Sequence, residues 1–366
     1  MKVLIVGSVD PWVRSVSTVQ HYVAAGRAAG HQVAVYGEPN KELPNIAFTT
    51  DLSGVDLAVF VMQLPNDLPD MPYLARLMDG VPRERRVVVD LWGRYNDTIR
   101  IEHDFNHLEK FDGHLRWEWE DTYRAISDVI VQPTLAPKRA DVRSFLFHGY
   151  DPAAAKSYAS AKEAAAAWRD ATPAQKPIGI MYAGSNWQRW AQVRAFLDGY
   201  RLARGKIGKA CLVGWDWKAR SQWAINQGLM GSDADPAFLE ELGVDVRDGV
   251  RFDEIAGLLN TARFVPVFHR PLFRALDYVT VRSFETFEAD ALPVLMLPKK
   301  FVHDLYGAAA VTLVPEGDVG AHMLDALERP EKYWDALLKT RAHLAQHHSF
   351  ERRFKELAAL SNGRAR

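Results

Sequence analysis

The sequence predicts an α/β protein made of two consecutive doubly wound, Rossmann-like domains. Short β-branched runs alternate with helical stretches, which is typical of parallel sheets. The alternation starts near Val3 and starts again near Ile178. With 366 residues, the chain can form two domains of about 150 to 170 residues each. Two such domains leave a cleft between them, and open α/β sheets bind ligands at the carboxyl ends of their strands.

The first series begins with a strand at residues 3–6, followed by a helix. Val16, Val19 and Val23 share one apolar face of this helix, and Gly30 closes it. Further strands of this half are predicted at residues 32–36, 57–62, 86–91, 129–132 and 144–147.

A connection rich in Ala, Lys and Glu at residues 151–176 leads to the second series. We expect a helix there and a link between the domains near Pro173 and Pro177. The second series opens with a strand at residues 178–182 and a turn at residues 183–186. The next helix has an apolar face made of Trp190, Val193, Phe196, Leu197 and Tyr200. Later strands are predicted at residues 210–213, 265–268, 294–297 and 311–314, the last closing the sheet.

Composition and charge describe an ordinary soluble globular protein. The chain is 48% hydrophobic and 25% charged, with a formal net charge of −1. Nucleic acid and anionic membranes require clustered excess Lys and Arg, so neither is an expected partner. The single Cys211 excludes an intrachain disulfide and a thiolate metal cluster, and it suits a reducing cytosol.

No run approaches the ~18 consecutive apolar residues of a membrane span. Residues 1–7 predict a first strand rather than a signal segment, because the apolar run is short and is followed at once by Ser-Val-Asp-Pro. We therefore expect a cytoplasmic protein, either free or peripheral to the membrane.

The first turn after a strand disfavours several common enzyme classes. Dinucleotide-binding proteins carry G-x-G-x-x-G there, whereas this chain has one glycine, Gly7, followed by Asp10 and Pro11. An NAD enzyme is therefore not expected. The sequence also lacks the G-x-x-x-x-G-K-[ST] loop of ATP-dependent phosphoryl transfer and the G-x-S-x-G elbow of serine hydrolases.

The most informative stretch runs from Asp277 to Glu285 and continues into an apolar strand. A turn opens a short helix, and the two acids lie eight positions apart. Backbone N–H groups at Thr280 and Val281 would be free at the start of this helix, where the dipole favours an anion such as phosphate. Glu285, one turn further on, could accept hydrogen bonds from two ribose hydroxyls.

Tryptophans recur in the predicted loops after strands. Core packing explains most tryptophans, but a run of them after strands is also suited to stacking on planar rings. The five loop tryptophans are Trp12, Trp92, Trp187, Trp215 and Trp217.

Five segments of the second half, in the correct order, resemble the donor-binding domain of GT-B glycosyltransferases: residues 181–189, 213–217, 250–260, 281–294 and 347–353. The last is similar to the end of the spore-maturation-protein-like branch of glycosyltransferase family 1. Asp277 and Glu285 resemble the acid-x7-acid element of nucleotide-sugar enzymes. The resemblance covers residues 178–355, while the first half matches only in outline. It departs at Asp277, where many members carry Glu, and at Asp290-Ala291, where glycine is usual.

The resemblance implies a GT-B architecture with two Rossmann-like domains facing a central cleft. The N-terminal acceptor-binding domain would span residues 1–170, and the nucleotide-sugar-binding domain would span residues 171–340. A C-terminal helix at residues 341–366 would return toward the first domain.

The resemblance also implies a set of donor-binding residues. A cationic side chain from Arg189, Arg270 or Arg282 would help to hold the diphosphate, and the backbone at Val250 with Phe252 would receive the nucleobase. The full set is Gly184, Ser185, Asn186, Arg189, Trp215, Val250, Phe252, Arg270, Tyr278, Thr280, Val281, Arg282 and Glu285.

No metal and no cofactor besides the donor are expected, because such families generally need none when a cationic clamp holds the diphosphate. His103 and His107, with Glu102, have i, i+4 helical spacing. Their order, Glu-His-x-x-x-His, differs from the zinc motif His-Glu-x-x-His. A zinc site there is therefore disfavoured.

Asp90, His103 and Asp277 are the candidate catalytic residues. Asp90 lies at the carboxyl end of a predicted strand, where it could deprotonate an acceptor hydroxyl or could cap the following loop. His103 and Asp10 are weaker candidates for the base, and Asp277 would contact sugar hydroxyls. The acid-x7-acid resemblance favours a retaining reaction, in which the leaving phosphate can accept the proton.

We therefore predict a glycosyltransferase that moves a sugar from a nucleotide-diphosphate donor, such as a UDP-sugar, to a hydroxyl acceptor. The acceptor class stays open between a glycan, a lipid-linked glycan and a small molecule, and so does the oligomeric state. A DNA-modifying glycosyltransferase of the same fold is one alternative, although the neutral charge disfavours it. A catalytically silent protein that only binds a nucleotide sugar is the other.

Overall fold

The protein contains two parallel β-sheets, one after the other along the chain, each flanked by helices. The computed structural model describes residues 1–12, 15–63, 67–96, 120–220, 222, 225 and 233–360. The predicted α/β fold with two doubly wound units is confirmed.

The first sheet has seven strands in the order β3-β2-β1-β4-β5-β6-β7, and every neighbouring pair is parallel. The strands β4 and β5 lie in the middle of the sheet and are buried along their whole length, which explains their unbroken apolar runs. The strands are β1 (Lys2–Val6), β2 (Gln32–Tyr36), β3 (Phe48–Thr49), β4 (Leu57–Met62), β5 (Arg86–Asp90), β6 (Ile130–Gln132) and β7 (Val142–Ser144).

Helices α1 (Ser15–Ala28) and α2 (Met71–Gly80), a 3-10 turn at Arg83–Arg85 and a helical stretch at residues 120–126 connect these strands. Gly26 lets α1 approach the sheet closely, because a Cβ at this position would lie 2.4 Å from a methyl group of Val33.

The second sheet has five parallel strands in the order β10-β9-β8-β11-β12. They are β8 (Ile178–Ala183), β9 (Ala210–Val213), β10 (Asp245–Arg247), β11 (Ala262–Val267) and β12 (Leu292–Leu295). Among the helices around this sheet, α4 packs against α10, and α11 packs against α3. The helices of this half and the chain end are α3 (Ala161–Arg169), α4 (Trp190–Ile207), α5 (Pro236–Glu241), α6 (Ile255–Leu259), α7 (Pro271–Ala275), α8 (Arg282–Glu288), α9 (Lys299–Tyr306), α10 (Val319–Glu328), α11 (Pro330–His348) and α12 (Phe350–Leu360).

Several strand predictions differ from the structure. The strands expected at residues 265–268 and 294–297 begin earlier, as Ala262–Val267 and Leu292–Leu295. The strand expected at residues 311–314 is wrong, because this stretch lies in the 3-10 turn Ala308–Leu313 and the residue after it. The buried side chain of Leu313 explains the apolar run, since a short buried turn and a short buried strand have the same pattern. The strand expected at residues 144–147 is shifted, because pairing in β7 ends at Ser144. The short strands β3 and β10 were not predicted.

The chain crosses between the domains twice. Tyr150 forms an isolated bridge with Ser349, so the outgoing and returning segments lie side by side. After Ser349, α12 packs on the first domain, where Phe350 and Phe354 join the core beneath α1. Trp168 of α3 belongs instead to the core of the second domain. The domain limits at residues 170 and 340 stay a prediction.

A short pairing of two segments joins the domains at the cleft; we call residues 133–135 and 276–279 the interdomain bridge. The Val279 N–H donates to the Pro133 carbonyl at 2.6 Å, and the Leu135 N–H donates to the Asp277 carbonyl at 3.3 Å. The buried Tyr278 hydroxyl donates to the backbone carbonyl of Asp90 at 3.1 Å. The bridge therefore fixes the start of α8 against the end of β5.

Glu288, at the end of α8, is a buried acid beside the first crossing segment. Its Oε1 accepts the backbone N–H of Asp151 at 2.9 Å. The pKa of this carboxyl is raised to about 8, chiefly by burial and also by the charges of Glu285 and Asp151, while the hydrogen bond from the Asp151 N–H and the charge of Arg341 act in the opposite direction. The carboxyl therefore keeps its proton to a higher pH in the folded protein than in the unfolded chain.

This raised pKa predicts a pH-dependent stability. Between pH 4.5 and 8 the folded state keeps the proton and the unfolded state releases it, so the free energy of unfolding falls as pH rises, by at most about 1.4 kcal/mol per unit. Glu288→Gln keeps the acceptor oxygen and removes the titration. We expect this variant to be more stable than the wild type at pH 8 and about equally stable at pH 4.5.

Urea unfolding across this pH range measures the effect, with the exposed Glu351→Gln as the matched control. Parallel pH profiles for the wild type and Glu288→Gln would show that Glu288 does not titrate in this way.

Candidate functional site

A cleft lies between the carboxyl ends of the strands of the two sheets. Ligands of open α/β sheets bind at this edge. The wall from the first domain contains Trp12, Gln63, Leu91, Trp92, Pro133 and His148. The wall from the second domain contains residues 182–185, Arg189, residues 213–215, Gly249, Val250, Phe252, Ile255, Phe268, Phe273 and residues 279–282.

In the second-domain wall, the backbones of Gly184 and Gly214 are in close contact. The Gly184 N–H donates to the Val213 carbonyl at 2.7 Å. Gly214 has φ of +148°, and a Cβ there would lie 2.5 Å from the carbonyl carbon of Gly184. The indole N–H of Trp217 donates to the Gly184 carbonyl at 2.8 Å. Trp217 is therefore a buried support of this turn, and the backbone at Gly184 is exposed to the cleft.

Ser185 lines the cleft, whereas Asn186 supports it from behind. Asn186 is fully buried; its N–H donates to the Trp215 carbonyl at 2.9 Å, and its side-chain amide donates to the Asp216 carbonyl at 3.2 Å. These bonds tie the loop after β8 to the loop after β9.

Arg189 places a buried cation in the cleft wall. The side chain is 7% exposed, and its Nη1 donates to the carbonyls of Ser185 and Trp187 at 3.1 and 3.3 Å. Its Nε has no hydrogen-bond partner among the described residues. Burial, helped by the charge of Arg189, lowers the pKa of the neighbouring His269 to about 3. Arg189 is therefore a charged group with remaining capacity to bind an anion.

The start of α8 also lines the cleft, through Thr280, Val281 and Arg282. The expectation of a free N–H at Thr280 is wrong, because this group donates to the Ser283 hydroxyl at 3.1 Å. The availability of the Val281 N–H stays a prediction. Arg282 Nη1 lies 2.9 Å from Glu285 Oε2, and both side chains are largely buried.

The two acids of the acid-x7-acid element do not line the cleft themselves. Glu285 lies behind Arg282 and forms an ion pair with it. Asp277 has φ of +51°, and its carboxylate lies 3.7 Å from Lys138 Nζ of the first domain. Tyr278 is fully buried within the interdomain bridge. In this arrangement Asp277 and Tyr278 connect the domains, and their predicted contacts with a ligand stay untested.

Val250, Phe252 and Trp215 line one end of the cleft. The N–H of Phe252 donates to the Pro11 carbonyl of the first domain at 3.0 Å, so this backbone group is already engaged. Trp215 is 52% exposed and packs on Gly249, where a Cβ would lie 2.6 Å from the indole ring.

Arg270 lies behind the cleft wall and is 2% exposed. Its guanidinium lies 4.8 Å from the ring centre of Trp92, 5.7 Å from that of Trp187 and 3.9 Å from that of Phe273. Cation–π contacts therefore hold this charge between the domains. Two of these rings, Trp92 and Phe273, separate Arg270 from the cleft, so its predicted contact with a diphosphate stays a prediction.

Asp90 is fully buried at the end of β5, and its carboxylate organises the loop that follows. Desolvation and the charge of Asp90 raise the pKa of the buried Tyr123 hydroxyl well above its usual value. The groups that donate hydrogen bonds to Asp90 are the N–H groups of Trp92 (3.2 Å), Arg94 (3.2 Å) and Tyr95 (2.9 Å), the Tyr123 hydroxyl (3.2 Å) and the Gln132 amide (2.9 Å). These bonds occupy both carboxylate oxygens, which fits the loop-capping alternative.

The remaining catalytic candidate, His103, lies outside the described residues, as do His107 and Glu102. Within the ranges that the structure describes, no group of three or more His, Cys, Asp or Glu side chains is arranged to hold a metal ion.

Several residues of the first-domain wall were not predicted as site residues. His148 is 6% exposed, lines the cleft and has its Nδ1 2.8 Å from the Thr18 hydroxyl. Gln63 and Pro133 lie after β4 and β6. Their position just after strands of the first sheet was the available signal, because no motif marks them.

The hydrogen bonds of Asp90 predict the result of changing it. Asp90→Asn turns one acceptor oxygen into a donor that faces existing donors, so we expect a loss of stability of about 1 to 3 kcal/mol. Urea unfolding measures this loss, with the exposed Asp121→Asn as control. If Asp90→Asn abolished sugar transfer without a loss of stability, Asp90 would act as a base and not as a support of the loop.

Solved structures of glycosyltransferases share this fold along the whole chain. T4 phage BGT in complex with UDP-glucose has a TM-score of 0.57 at 12% identity, covering 97% of this chain and 99% of that chain. An alpha-glucosyltransferase in complex with UDP and a 13-mer DNA has a TM-score of 0.59 at 11% identity, covering 99% and 98%. Anabaena HepE in complex with UDP has a TM-score of 0.55 at 12% identity, covering 99% and 100%.

A further structure of T4 phage BGT contains UDP and Mn²⁺. No protein-family model matches the sequence, and no curated protein matches it significantly. The structural likeness establishes the fold: this chain has the two-domain GT-B architecture of these glycosyltransferases.

Proposed function

We propose that this protein is a glycosyltransferase that uses a UDP-type nucleotide sugar. The observation that carries the proposal is the cleft itself, in which the glycine turn at Gly184, the buried Arg189 and Arg282 at the start of α8 meet. A close backbone and two cations suit a diphosphate, whose charge grows as the sugar leaves. The UDP and UDP-glucose complexes of proteins with the same fold support this choice of donor.

In this proposal the nucleobase lies at the end of the cleft formed by Val250, Phe252 and Trp215. Glu285 lies behind Arg282, so its contact with the two ribose hydroxyls requires that this ion pair opens when the donor binds. The placement in the spore-maturation-protein-like branch and a retaining outcome belong to the same proposal, and the sequence resemblance supports both.

A small second pocket offers a place for the acceptor. It lies at the carboxyl ends of β1, β2 and β4. One hydrogen bond links the two linings, since Gln63 of the cleft donates its N–H to Asp67 Oδ2 of this pocket at 2.5 Å. Glu38, Asp67 and Asp70 line this pocket together with Tyr36 and Tyr73.

Carboxylates and tyrosine rings suit a hydroxyl-rich acceptor and repel a phosphodiester. We therefore favour a glycan, a lipid-linked glycan or a small molecule over DNA as acceptor. Three cations near the interdomain bridge support this choice, because each of them already has an acidic partner. The pairs are Lys138 with Asp277 at 3.7 Å, Arg139 with Asp141 at 2.9 Å and Arg124 with Glu120 at 3.2 Å.

None of the described helices combines the length and apolar character that a membrane crossing requires. We propose a cytoplasmic location, with any association with the membrane peripheral.

The donor site is tested by binding of UDP to Arg189→Ala. Loss of a charge-assisted hydrogen bond of about 1.5 to 3 kcal/mol should weaken UDP binding by roughly tenfold or more. Uridine, which lacks the diphosphate, should bind the variant and the wild type alike. Isothermal titration calorimetry measures both affinities.

Arg194→Ala is the matched control, because Arg194 lies in the helix that begins just after Arg189, does not line the cleft and pairs with Asp235 at 3.1 Å. Equal UDP affinity for the wild type and Arg189→Ala would remove Arg189 from the site. If the wild type bound no nucleotide diphosphate at all, the proposed function itself would be wrong.

Catalysis should not require a divalent metal, because we propose that Arg189 and Arg282 stabilise the charge of the leaving diphosphate. With a glycoside acceptor, UDP release from UDP-glucose should continue in EDTA. Duplex DNA in place of the glycoside should give no UDP release. If EDTA abolished turnover and Mn²⁺ restored it, this account of the diphosphate would be refuted. UDP binding without release on any acceptor would favour a silent binding protein.

A further inference from the structure

Two half-exposed tryptophans face the same cleft from opposite domains. Trp12 is 53% exposed and Trp215 is 52% exposed, and both line the cleft. Trp168, Trp217 and Trp334, in contrast, are fully buried in the core. Among the described tryptophans, only Trp12 and Trp215 are exposed to this extent. A folded protein gains by burying such rings, so two of them at one cleft indicate a planar ligand.

The backbone just before Trp12 and the ring of Trp215 both lie at the same short segment, residues 249–252. The Pro11 carbonyl accepts the N–H of Phe252 at 3.0 Å, which holds the backbone that leads into Trp12 at this segment. The ring of Trp215 packs on Gly249, where a Cβ would lie 2.6 Å from the indole. Asp10 fixes the turn before Trp12, because its Oδ1 accepts the Trp12 N–H at 2.7 Å.

We propose that the donor's nucleobase stacks on Trp12 of the first domain as well as on Trp215 of the second. This inference rests on the proposed function, and it changes which domain is expected to bind the donor. The second domain would not hold the donor alone, since the first domain contributes an aromatic face to it. Binding of the base would therefore favour the arrangement in which the loop at Pro11–Trp12 meets Phe252.

The energetic consequence depends on the base and not on the diphosphate. Stacking of a base on one aromatic side chain changes affinity by a factor of roughly 5 to 150. Trp12 should contribute to the binding of UDP and of uridine, which both carry the base. It should contribute nothing to inorganic pyrophosphate, which carries only the charge bound by Arg189 and Arg282.

The test compares Trp12→Ala and Trp12→Phe with the wild type, using calorimetry with UDP, uridine and pyrophosphate. We expect Trp12→Ala to weaken UDP and uridine about tenfold and to leave pyrophosphate within twofold. Trp12→Phe keeps a ring and should recover most of the affinity. Leu202→Ala, an exposed apolar residue on α4 at 87% exposure, serves as the control for loss of surface area.

The possible outcomes distinguish the role of Trp12 from the proposed function on which it rests. Wild-type affinity of Trp12→Ala for UDP would overturn the role of Trp12 and leave the proposed donor site intact. An equal loss of affinity for UDP and for pyrophosphate would also overturn it, because the effect would then be independent of the base. If the wild type bound pyrophosphate but gained nothing from a base, the donor proposal would fail together with the inference.

Discussion

The arrangement of the cleft depends on the interdomain bridge. Asp277 turns the chain with φ of +51°, a conformation that Asp tolerates better than most residues, so that Tyr278 points into the core between the domains. There its hydroxyl donates to the backbone carbonyl of Asp90, and Val279 pairs with Pro133. These bonds set the start of α8 opposite the end of β5. Together with the bond from the Phe252 N–H to the Pro11 carbonyl, they hold the two walls of the cleft against each other.

Three arginines lie near this one cleft, and each has its own compensating contacts. A buried cation is costly unless it has compensating contacts. Aromatic rings surround Arg270, a carboxylate pairs with Arg282, and two backbone carbonyls hold Arg189. Neutral carbonyls compensate a charge less completely than a carboxylate does. Arg189 is therefore the group from which a bound anion would gain most.

The sequence predicted the sheets well, because β-branched runs mark buried parallel strands directly. It failed at residues 311–314, where a buried 3-10 turn has the same apolar pattern as a strand. In the site, the second-domain wall was predicted through linear motifs such as the turn at Gly184. The first-domain wall was not, because His148 and Gln63 come from separate strand ends that only the fold brings together. The N–H of Thr280 was misjudged, since a local pattern does not show that the Ser283 hydroxyl accepts it.

The central claim is that a nucleotide sugar binds between the domains and contacts both. Hydrogen–deuterium exchange with and without saturating UDP tests this most directly, because it reports on every backbone segment at once. The account predicts slower exchange at residues 183–189, 213–217, 249–252 and 279–283 of the second domain, and also around Trp12 and Gln63 of the first. Unchanged exchange at these segments, or protection confined to a surface away from the cleft, would contradict it.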